Sequence, residues 1–255
     1  MIITDTHTHL YSEAFEKDRD AMIKRAIEAN VSRFFVPAID SSYTKSMLKL
    51  ESDYPESIFL MMGLHPTHVK NDYEAELEHV TTMLQRHKFY AVGEIGIDLY
   101  WDKSTLQIQQ DAFKRQIRLA KQHKLPIVIH CREAFDEVFE VLEEMQGDAL
   151  FGIFHCFTGN LKQAQRAVDL NMKLGIGGVV TFKNGKIDQF LNQINLEHIV
   201  LETDSPYLAP KPYRGKRNES AYILKVLEKL SAIYTISEEK IAEITTQNSK
   251  MIFSI

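Results

Sequence analysis

The sequence has 255 residues, with 30 Lys and Arg against 35 Asp and Glu, and 44% of the residues are hydrophobic. The slightly negative net charge argues against a protein that coats nucleic acid, because such proteins carry a basic face. The two cysteines form no disulfide framework, as is typical of the reducing cytoplasm. No apolar run approaches the ~20 residues that span a bilayer. We therefore expect a cytoplasmic protein with no membrane partner.

Short apolar segments alternate with amphipathic segments along the whole chain. The predicted strands cover residues 2–5, 33–36, 58–62, 89–92, 126–129, 150–154, 172–176 and 199–201. The predicted helices cover residues 13–30, 41–53, 74–87, 106–121, 135–145, 161–170, 187–194, 221–234 and 238–248. Eight such units predict an α/β fold, a single (β/α)8 TIM-barrel domain over residues 1–255. The alternative is an open doubly wound sheet, which more often has a Gly-rich turn after its first strand.

Two histidines follow the first predicted strand, where the open sheet would have its Gly-rich turn. His7 and His9 are two residues apart, and alternate residues of a strand point to the same face. Their imidazoles should therefore converge, and neutral imidazole is a good ligand for transition metals. Taken alone, the pair fits half of a metal site and a solvated strand end about equally well.

Other ionisable side chains lie at the ends of later predicted strands. They are His65 after strand 3, Glu94 after strand 4, His130 after strand 5, His155 after strand 6, and Glu202 and Asp204 after strand 8. A lone histidine after a strand is more often a hydrogen-bonded core residue. In a barrel, however, all these strand ends ring one cavity. The set as a whole predicts a metal centre at the carboxyl ends of the strands.

The number of candidate ligands exceeds the three or four that hold one catalytic zinc. We therefore predict two divalent ions bridged by Glu94, with Mg, Mn, Zn and Ni all compatible with mixed imidazole and carboxylate ligands. Ion one is assigned His7, His9, Glu94 and Asp204, and ion two is assigned Glu94, His130 and His155. Bound water would lose a proton more easily there, and Asp204 could accept or orient that proton. Such a site suits a phosphodiester, and equally an amide, ester or lactone.

Cationic side chains near the predicted site narrow this choice. Arg214 and Arg217 belong to a basic segment after strand 8, and Arg132 follows His130 by two residues. A charge run is usually a solvated loop, but these residues lie on the mouth side of a barrel, where Arg can hold phosphate. We predict that Arg132, Arg214 and Arg217 bind substrate.

Four more residues near the predicted strand ends have less definite roles. Tyr100 and Trp101 could stack on a base or pack an active-site lid, with equal support for each. Cys131 and Cys156 each follow a candidate ligand, so strand alternation predicts that their sulfurs point away from the site as small buried hydrophobes.

Seven ordered segments resemble the TatD-type metal-dependent hydrolases and deoxyribonucleases, a family of amidohydrolase-like barrels. These segments are residues 5–10, 63–66, 93–98, 130–134, 155–159, 202–208 and 214–219. The resemblance covers essentially the whole chain and implies a (β/α)8 barrel that binds divalent metals. The metal ligands of the family fall on His7, His9, Glu94, His130, His155 and Asp204. His65 and Glu202 fall on positions expected near substrate or water.

The resemblance, rather than the ligand spacing, implies hydrolysis of DNA, often as a 3′-to-5′ exonuclease. It makes DNA, as single strands or 3′ ends, the expected partner, with Glu94, Asp204, Glu202 and His65 as catalytic residues. Ser220 stands where the family usually has proline, and Glu94 disfavours the subgroup with a bridging modified lysine.

Two alternatives to a deoxyribonuclease remain open on the sequence. One is a metal-dependent hydrolase of another ester or amide, such as an aminoacyl ester or lactone. The other is a non-catalytic metal-binding scaffold, whose site would have closed coordination. The oligomeric state is also open, with a monomer as the simplest case.

Overall fold

The structure is a computed structural model and describes residues 2–255. Its strands are β1 Ile3–Asp5, β2 Val31–Val36, β3 Ile58–Leu60, β4 Val92–Asp98, β5 Ile127–Arg132, β6 Gly152–Phe154, β7 Met172–Ile176 and β8 Ile199–Leu201. Its α-helices are α1 Arg19–Glu28, α2 Thr44–Asp53, α3 Tyr73–Arg86, α4 Leu106–His123, α5 Phe135–Glu144, α6 Leu161–Asp169, α7 Ile223–Tyr234 and α8 Glu238–Phe253. None of the helices in this part of the chain is long and apolar enough to cross a membrane.

The eight strands close into a parallel barrel. Strands β1 to β3 and β4 to β8 pair in sequence order. Between β3 and β4, Met62 N donates to Ala91 O at 3.1 Å, and Gly93 N donates to Met62 O at 3.0 Å. Between β8 and β1, Thr6 N donates to Leu201 O at 2.9 Å. The (β/α)8 barrel predicted from the sequence is confirmed.

A compact apolar layer fills the inside of the barrel below the strand ends. It draws side chains from most of the strands or their flanks, namely Phe35, Met61, Ala91, Val128, Ile153 and Val200. At the opposite end from the predicted site, Phe253 of α8 stacks on Phe35 with ring centroids 3.7 Å apart. Two residues beyond Val128, Ile153 and Val200 come His130, His155 and Glu202. Strand alternation therefore points these polar side chains into the barrel above the apolar layer.

The helix predicted over residues 187–194 is wrong. The chain forms two separate 3-10 turns there, Ile187–Gln189 and Leu191–Gln193. Ile187 and Leu191 are buried, and their spacing of four residues fits either structure. Phe190, between the turns, has φ −133°, which interrupts helical geometry. A segment this short cannot maintain an α-helix against that break.

Predicted boundaries also move at several elements, among them the first helix, β4 and β5. The first helix begins at Arg19 rather than at residue 13, after a 3-10 turn over Glu13–Phe15. Strand β4 runs on to Asp98 although Gly93 and Gly96 have low strand propensity, and β5 runs on to Arg132. At Gly96, φ is +135° and a Cβ would lie 2.1 Å from His130 O, so only glycine fits between the two strands. Glu94 and His130 therefore lie within strands rather than after them.

Candidate metal centre

A cavity of about 610 Å³ opens at the carboxyl end of the barrel. Polar residues from six different strands or their ends line it, namely His9, His65, Glu94, His130, His155 and Asp204. His7 lies beneath them and is fully buried. The structure thus brings together the predicted metal ligands and His65, which lie up to 197 residues apart in the sequence.

Glu94 lies at the centre of this cluster, and its two carboxylate oxygens face different groups. Oε2 is 3.1 Å from His7 Nε2 and 3.6 Å from His9 Nε2. Oε1 is 2.7 Å from His130 Nδ1 and 2.9 Å from His155 Nε2. One carboxylate therefore stands between two pairs of imidazoles.

Asp204 adds a second carboxylate on the side of His7 and His9. Its Oδ1 is 3.5 Å from His9 Nε2 and 3.8 Å from His7 Nε2. Its backbone N–H donates to His7 O at 2.9 Å, which fixes the end of β8 against the end of β1. Because closure of the barrel puts β8 next to β1, Asp204 lies beside His7 and His9.

Tyr11 sets the tautomer of His9. The Tyr11 hydroxyl donates its only proton to Pro37 O at 2.9 Å. His9 Nδ1, 3.0 Å from the same hydroxyl oxygen, must then be the N–H donor of that contact. The lone pair of neutral His9 consequently lies on Nε2, the atom that faces Glu94 and Asp204.

His65 has the opposite tautomer. Its Nδ1 accepts a hydrogen bond from the backbone N–H of Thr67 at 3.1 Å, so the proton of the neutral ring lies on Nε2. That nitrogen is 3.1 Å from Glu94 Oε1. Burial lowers the pKa of His65 to about 4 and keeps the ring neutral. His65 thus presents an N–H donor to the cavity, although its position alone also fits a metal ligand.

Asp98 is a residue of the site that the sequence reasoning missed. Its Oδ2 is 2.8 Å from His130 Nε2, on the opposite side of the ring from Glu94. Carboxylates often fix a metal-binding imidazole in this way. The extension of β4 explains the placement, because Glu94, Gly96 and Asp98 alternate along one strand. Because the strand was predicted to end at residue 92, the alternation that places Asp98 on the same face as Glu94 was not predicted.

Glu202 lies behind His155 and outside the residues that line the cavity. Its Oε1 accepts a hydrogen bond from Cys156 N at 2.6 Å and is 3.6 Å from His155 Nδ1. A Cβ at Gly175 would lie 2.2 Å from Glu202 Oε2, so glycine makes the room for this carboxylate. Glu202 therefore lies against His155 at ion-pair distance, beyond hydrogen-bond length.

The charges of the cluster suit a cation. Burial alone would raise the pKa of Glu94, but the imidazoles of His155, His65 and His7 hold it well below the usual range. Burial likewise opposes ionisation of Asp204, yet the neighbouring imidazoles of His9, His155 and His7 lower its pKa. Within residues 2–255, His7 Nδ1 and Glu202 Oε2 are buried without a hydrogen-bond partner. Ionised carboxylates beside imidazole nitrogens are the donor set that a divalent metal takes.

The three predicted arginines lie in different places. Arg132 is exposed, lines the cavity and stacks over the Tyr100 ring at 3.7 Å. Arg214 stacks over Phe182 at 3.7 Å. Arg217 donates to Asp18 Oδ1 at 2.6 Å and to Glu219 Oε1 at 3.3 Å.

Arg214 and Arg217 are not among the described residues that line the cavity, so the structure does not bring them to the site. Asp18, which binds Arg217, precedes it by 199 residues. No local sequence pattern reveals a partner at that distance.

The two cysteines lie close to the site, and Cys131 packs against the hydrophobic core, as a small buried hydrophobe does. Cys131 and Cys156 both line the cavity, and both are free thiols. Strand alternation does not extend to Cys156, because its backbone has φ +45°. Burial raises the pKa of Cys131 to about 12, so its thiol remains protonated.

A parallel barrel with imidazoles and carboxylates gathered at its carboxyl end is the architecture of a metal-dependent hydrolase. Residues 4–254 match the family described as TatD related DNase, and the chain belongs to that family.

The similarity to known relatives extends over 98–100% of the chain. It is 37% identical over 255 residues to the uncharacterized metal-dependent hydrolase YabD of Bacillus subtilis, with 100% of both chains covered. It is 30% identical over 257 residues to the 3′-5′ ssDNA/RNA exonuclease TatD of Salmonella typhimurium, with 98% of each chain covered. The crystal structure of YjjV, a TatD homolog from Escherichia coli K12, matches with a TM-score of 0.93 at 30% identity, covering 99% of this chain and 98% of that one.

Proposed function

We propose that the chain hydrolyses phosphodiester bonds of DNA at the 3′ ends of single strands, with two divalent metal ions. The observation that carries this proposal is that the two carboxylate oxygens of Glu94 face different pairs of imidazoles. The distances from these oxygens to the imidazole nitrogens are 2.7–3.6 Å. Two-metal sites that share a carboxylate are common in phosphodiester hydrolysis.

We assign the ligands by the carboxylate oxygen of Glu94 that each imidazole faces. His7, His9, Glu94 and Asp204 would hold ion one, and Glu94, His130 and His155 would hold ion two. Mg, Mn, Zn and Ni all accept this mixture of nitrogen and oxygen donors. When bound, such ions lower the pKa of a coordinated water and neutralise charge that builds on the phosphoryl group.

The remaining polar groups act on the substrate and the attacking water. The Nε2–H of His65, which faces Glu94 in this structure, can donate a hydrogen bond to a phosphoryl oxygen of the substrate. Asp204, ionised and at the edge of the cavity, can take a proton from the attacking water. Glu202 supports His155 from behind, so its contribution to catalysis is through that ring.

Exposed aromatic side chains at the mouth support a single-stranded substrate. Trp101 is 71% exposed and Tyr207 is 54% exposed, and both line the cavity. The Tyr207 ring lies 5.9 Å from His9, whereas Trp101 follows Asp98, the partner of His130. Bases of a single strand can stack on such rings, but bases within a duplex cannot. Arg132, held over Tyr100, adds a positive charge for the backbone phosphates.

Two further properties belong to the proposal. The free thiols of Cys131 and Cys156 fit a reducing compartment such as the cytoplasm. Every strand end that contributes to the cluster comes from one chain, so a monomer suffices for activity.

End-labelled single-stranded DNA tests the proposal directly. The purified chain, loaded in turn with Mg, Mn, Zn or Ni, should shorten 3′ ends one nucleotide at a time and leave blunt duplex largely intact. Glu94→Gln should remove nearly all of this activity while circular dichroism shows an intact fold. Turnover of aminoacyl esters or lactones, with no cleavage of DNA, would instead identify a hydrolase of another ester.

A further inference from the structure

The loop after β3 presents a second histidine at the rim of the cavity. His68 lines the cavity together with His65, and the two ring centroids are 6.2 Å apart in an edge-to-face arrangement. The side chain of His68 is 37% exposed. None of the roles proposed above uses this imidazole.

Asp40 holds the His68 ring from behind. Its Oδ2 is 2.6 Å from His68 Nδ1, and its Oδ1 accepts hydrogen bonds from the backbone and hydroxyl of Ser42. Burial opposes the charge, but the hydrogen bonds from Ser42 and His68 lower the pKa of Asp40. Asp40 does not belong to the described lining of the cavity, whereas His68 does. The ring therefore stands between an ionised carboxylate and the cavity, with Nε2 as its free nitrogen.

A carboxylate on Nδ1 fixes the imidazole ring and orients its Nε2 for proton transfer. The charged and titratable groups around the ring are Asp40, on its Nδ1 side, and His65, at its edge. His65 cannot supply a proton in the same way, because its Nδ1 accepts from Thr67 and the ring stays neutral. His68 is therefore the group placed to act as an acid on this side of the cavity.

We infer that His68 is the general acid that protonates the leaving oxygen in phosphodiester hydrolysis, with Asp40 as its positioning residue. The inference rests on the proposed function. The oxygen of water bonds to phosphorus, and Asp204 takes one of its protons. The bond between phosphorus and the leaving 3′ oxygen breaks with its electron pair, and His68 Nε2 delivers a proton to that oxygen. Solvent at the rim then restores the proton of His68 and removes that of Asp204, so each cleavage consumes one water.

Two phosphodiesters with different leaving groups test this role. A single-stranded DNA end releases an alkoxide that needs a proton, whereas thymidine 5′-p-nitrophenyl phosphate releases p-nitrophenolate, which leaves without one. In the metal-loaded full-length chain, His68→Gln should lower kcat on DNA by about 10²-fold, the usual contribution of a general acid. It should lower kcat on the p-nitrophenyl ester by no more than about 3-fold. Asp40→Asn should show the same selectivity with a smaller loss on DNA.

A matched control uses a similar pair outside the cavity. His87 Nε2 lies 2.8 Å from Glu51 Oε2, which is also an imidazole–carboxylate contact. His87→Gln should leave both turnover numbers unchanged. The metal content of His68→Gln, measured by elemental analysis, should equal that of the wild type, because His68 is not among the proposed ligands.

Equal losses on both substrates in His68→Gln, or no loss on DNA, would overturn the inference and assign the leaving oxygen to another group. Neither outcome would contradict the proposed hydrolysis of DNA by the wild type. If the wild type cleaves the p-nitrophenyl ester but no DNA, the proposed function itself fails, and the role of His68 in DNA cleavage fails with it.

Discussion

Asp98 contacts His130 Nε2 at 2.8 Å and thereby leaves Nδ1 of that ring facing Glu94 at 2.7 Å. The two carboxylates hold opposite sides of one imidazole. Asp98 is the group that decides which nitrogen of His130 is available to a metal.

Asp98→Asn should weaken the binding of one ion without unfolding the barrel. The amide keeps the size of the carboxylate but no longer stabilises positive charge on the ring, and loss of such a partner commonly costs 10- to 100-fold in metal affinity. Competition with a chelator measures this affinity for wild type and variant. Unchanged affinity would show that His130 needs no orientation by Asp98.

Arg132 and Arg217 should respond differently to truncation. Arg132→Ala should weaken the binding of single-stranded DNA and reduce the slope of log K against log salt by about 0.7, the value for one phosphate contact on a single strand. Arg217 is committed to Asp18 and Glu219, so Arg217→Ala should lower the free energy of unfolding and leave the salt slope unchanged. A salt slope that depends on Arg217 and not on Arg132 would place the substrate along the basic segment after β8 instead.

Trp101→Ala should raise the Kd for single-stranded DNA. Stacking of a base on an exposed aromatic ring contributes about 1–3 kcal/mol, which corresponds to roughly 5- to 150-fold in affinity. Binding is measured by fluorescence anisotropy with the inactive Glu94→Gln background. Trp101→Phe serves as the control, because it keeps a ring and should retain most of the affinity.

The neutral state of His65 predicts how the metal-free chain responds to acid. Burial lowers the pKa of His65 from 6.5 to about 4, so the unfolded chain binds this proton more readily than the folded chain. The stability that follows from this difference is fully present above pH 6.5 and is lost as the pH falls toward 4. Between pH 7.5 and 5, His65 should account for up to about 2 kcal/mol of lost stability.

Urea unfolding of wild type and His65→Gln at these two pH values isolates that contribution. The variant should lose less stability on acidification than the wild type. Equal losses in the two proteins would mean that His65 is not held neutral by its surroundings.

The sequence predicted the barrel and the polar strand ends because both follow from periodicity along the chain. Strand alternation explains why His7 and His9 converge, and barrel order explains why Asp204 reaches them. The role of Asp98 was not predicted, because the low strand propensity of Gly93 and Gly96 made β4 look shorter than it is. The Asp40–His68 pair and the partners of Arg217 depend on contacts between distant loops, which no local pattern encodes.

We propose that Glu94 joins two separate ions, one of them held by His7 and His9. The most direct test is the number of metal ions per chain, measured by elemental analysis after dialysis, in the wild type and in His9→Ala. We predict two ions per wild-type chain and one in His9→Ala, with the ion beside His130 and His155 retained. A single ion in the wild type, or equal loss of both ions in His9→Ala, would contradict it.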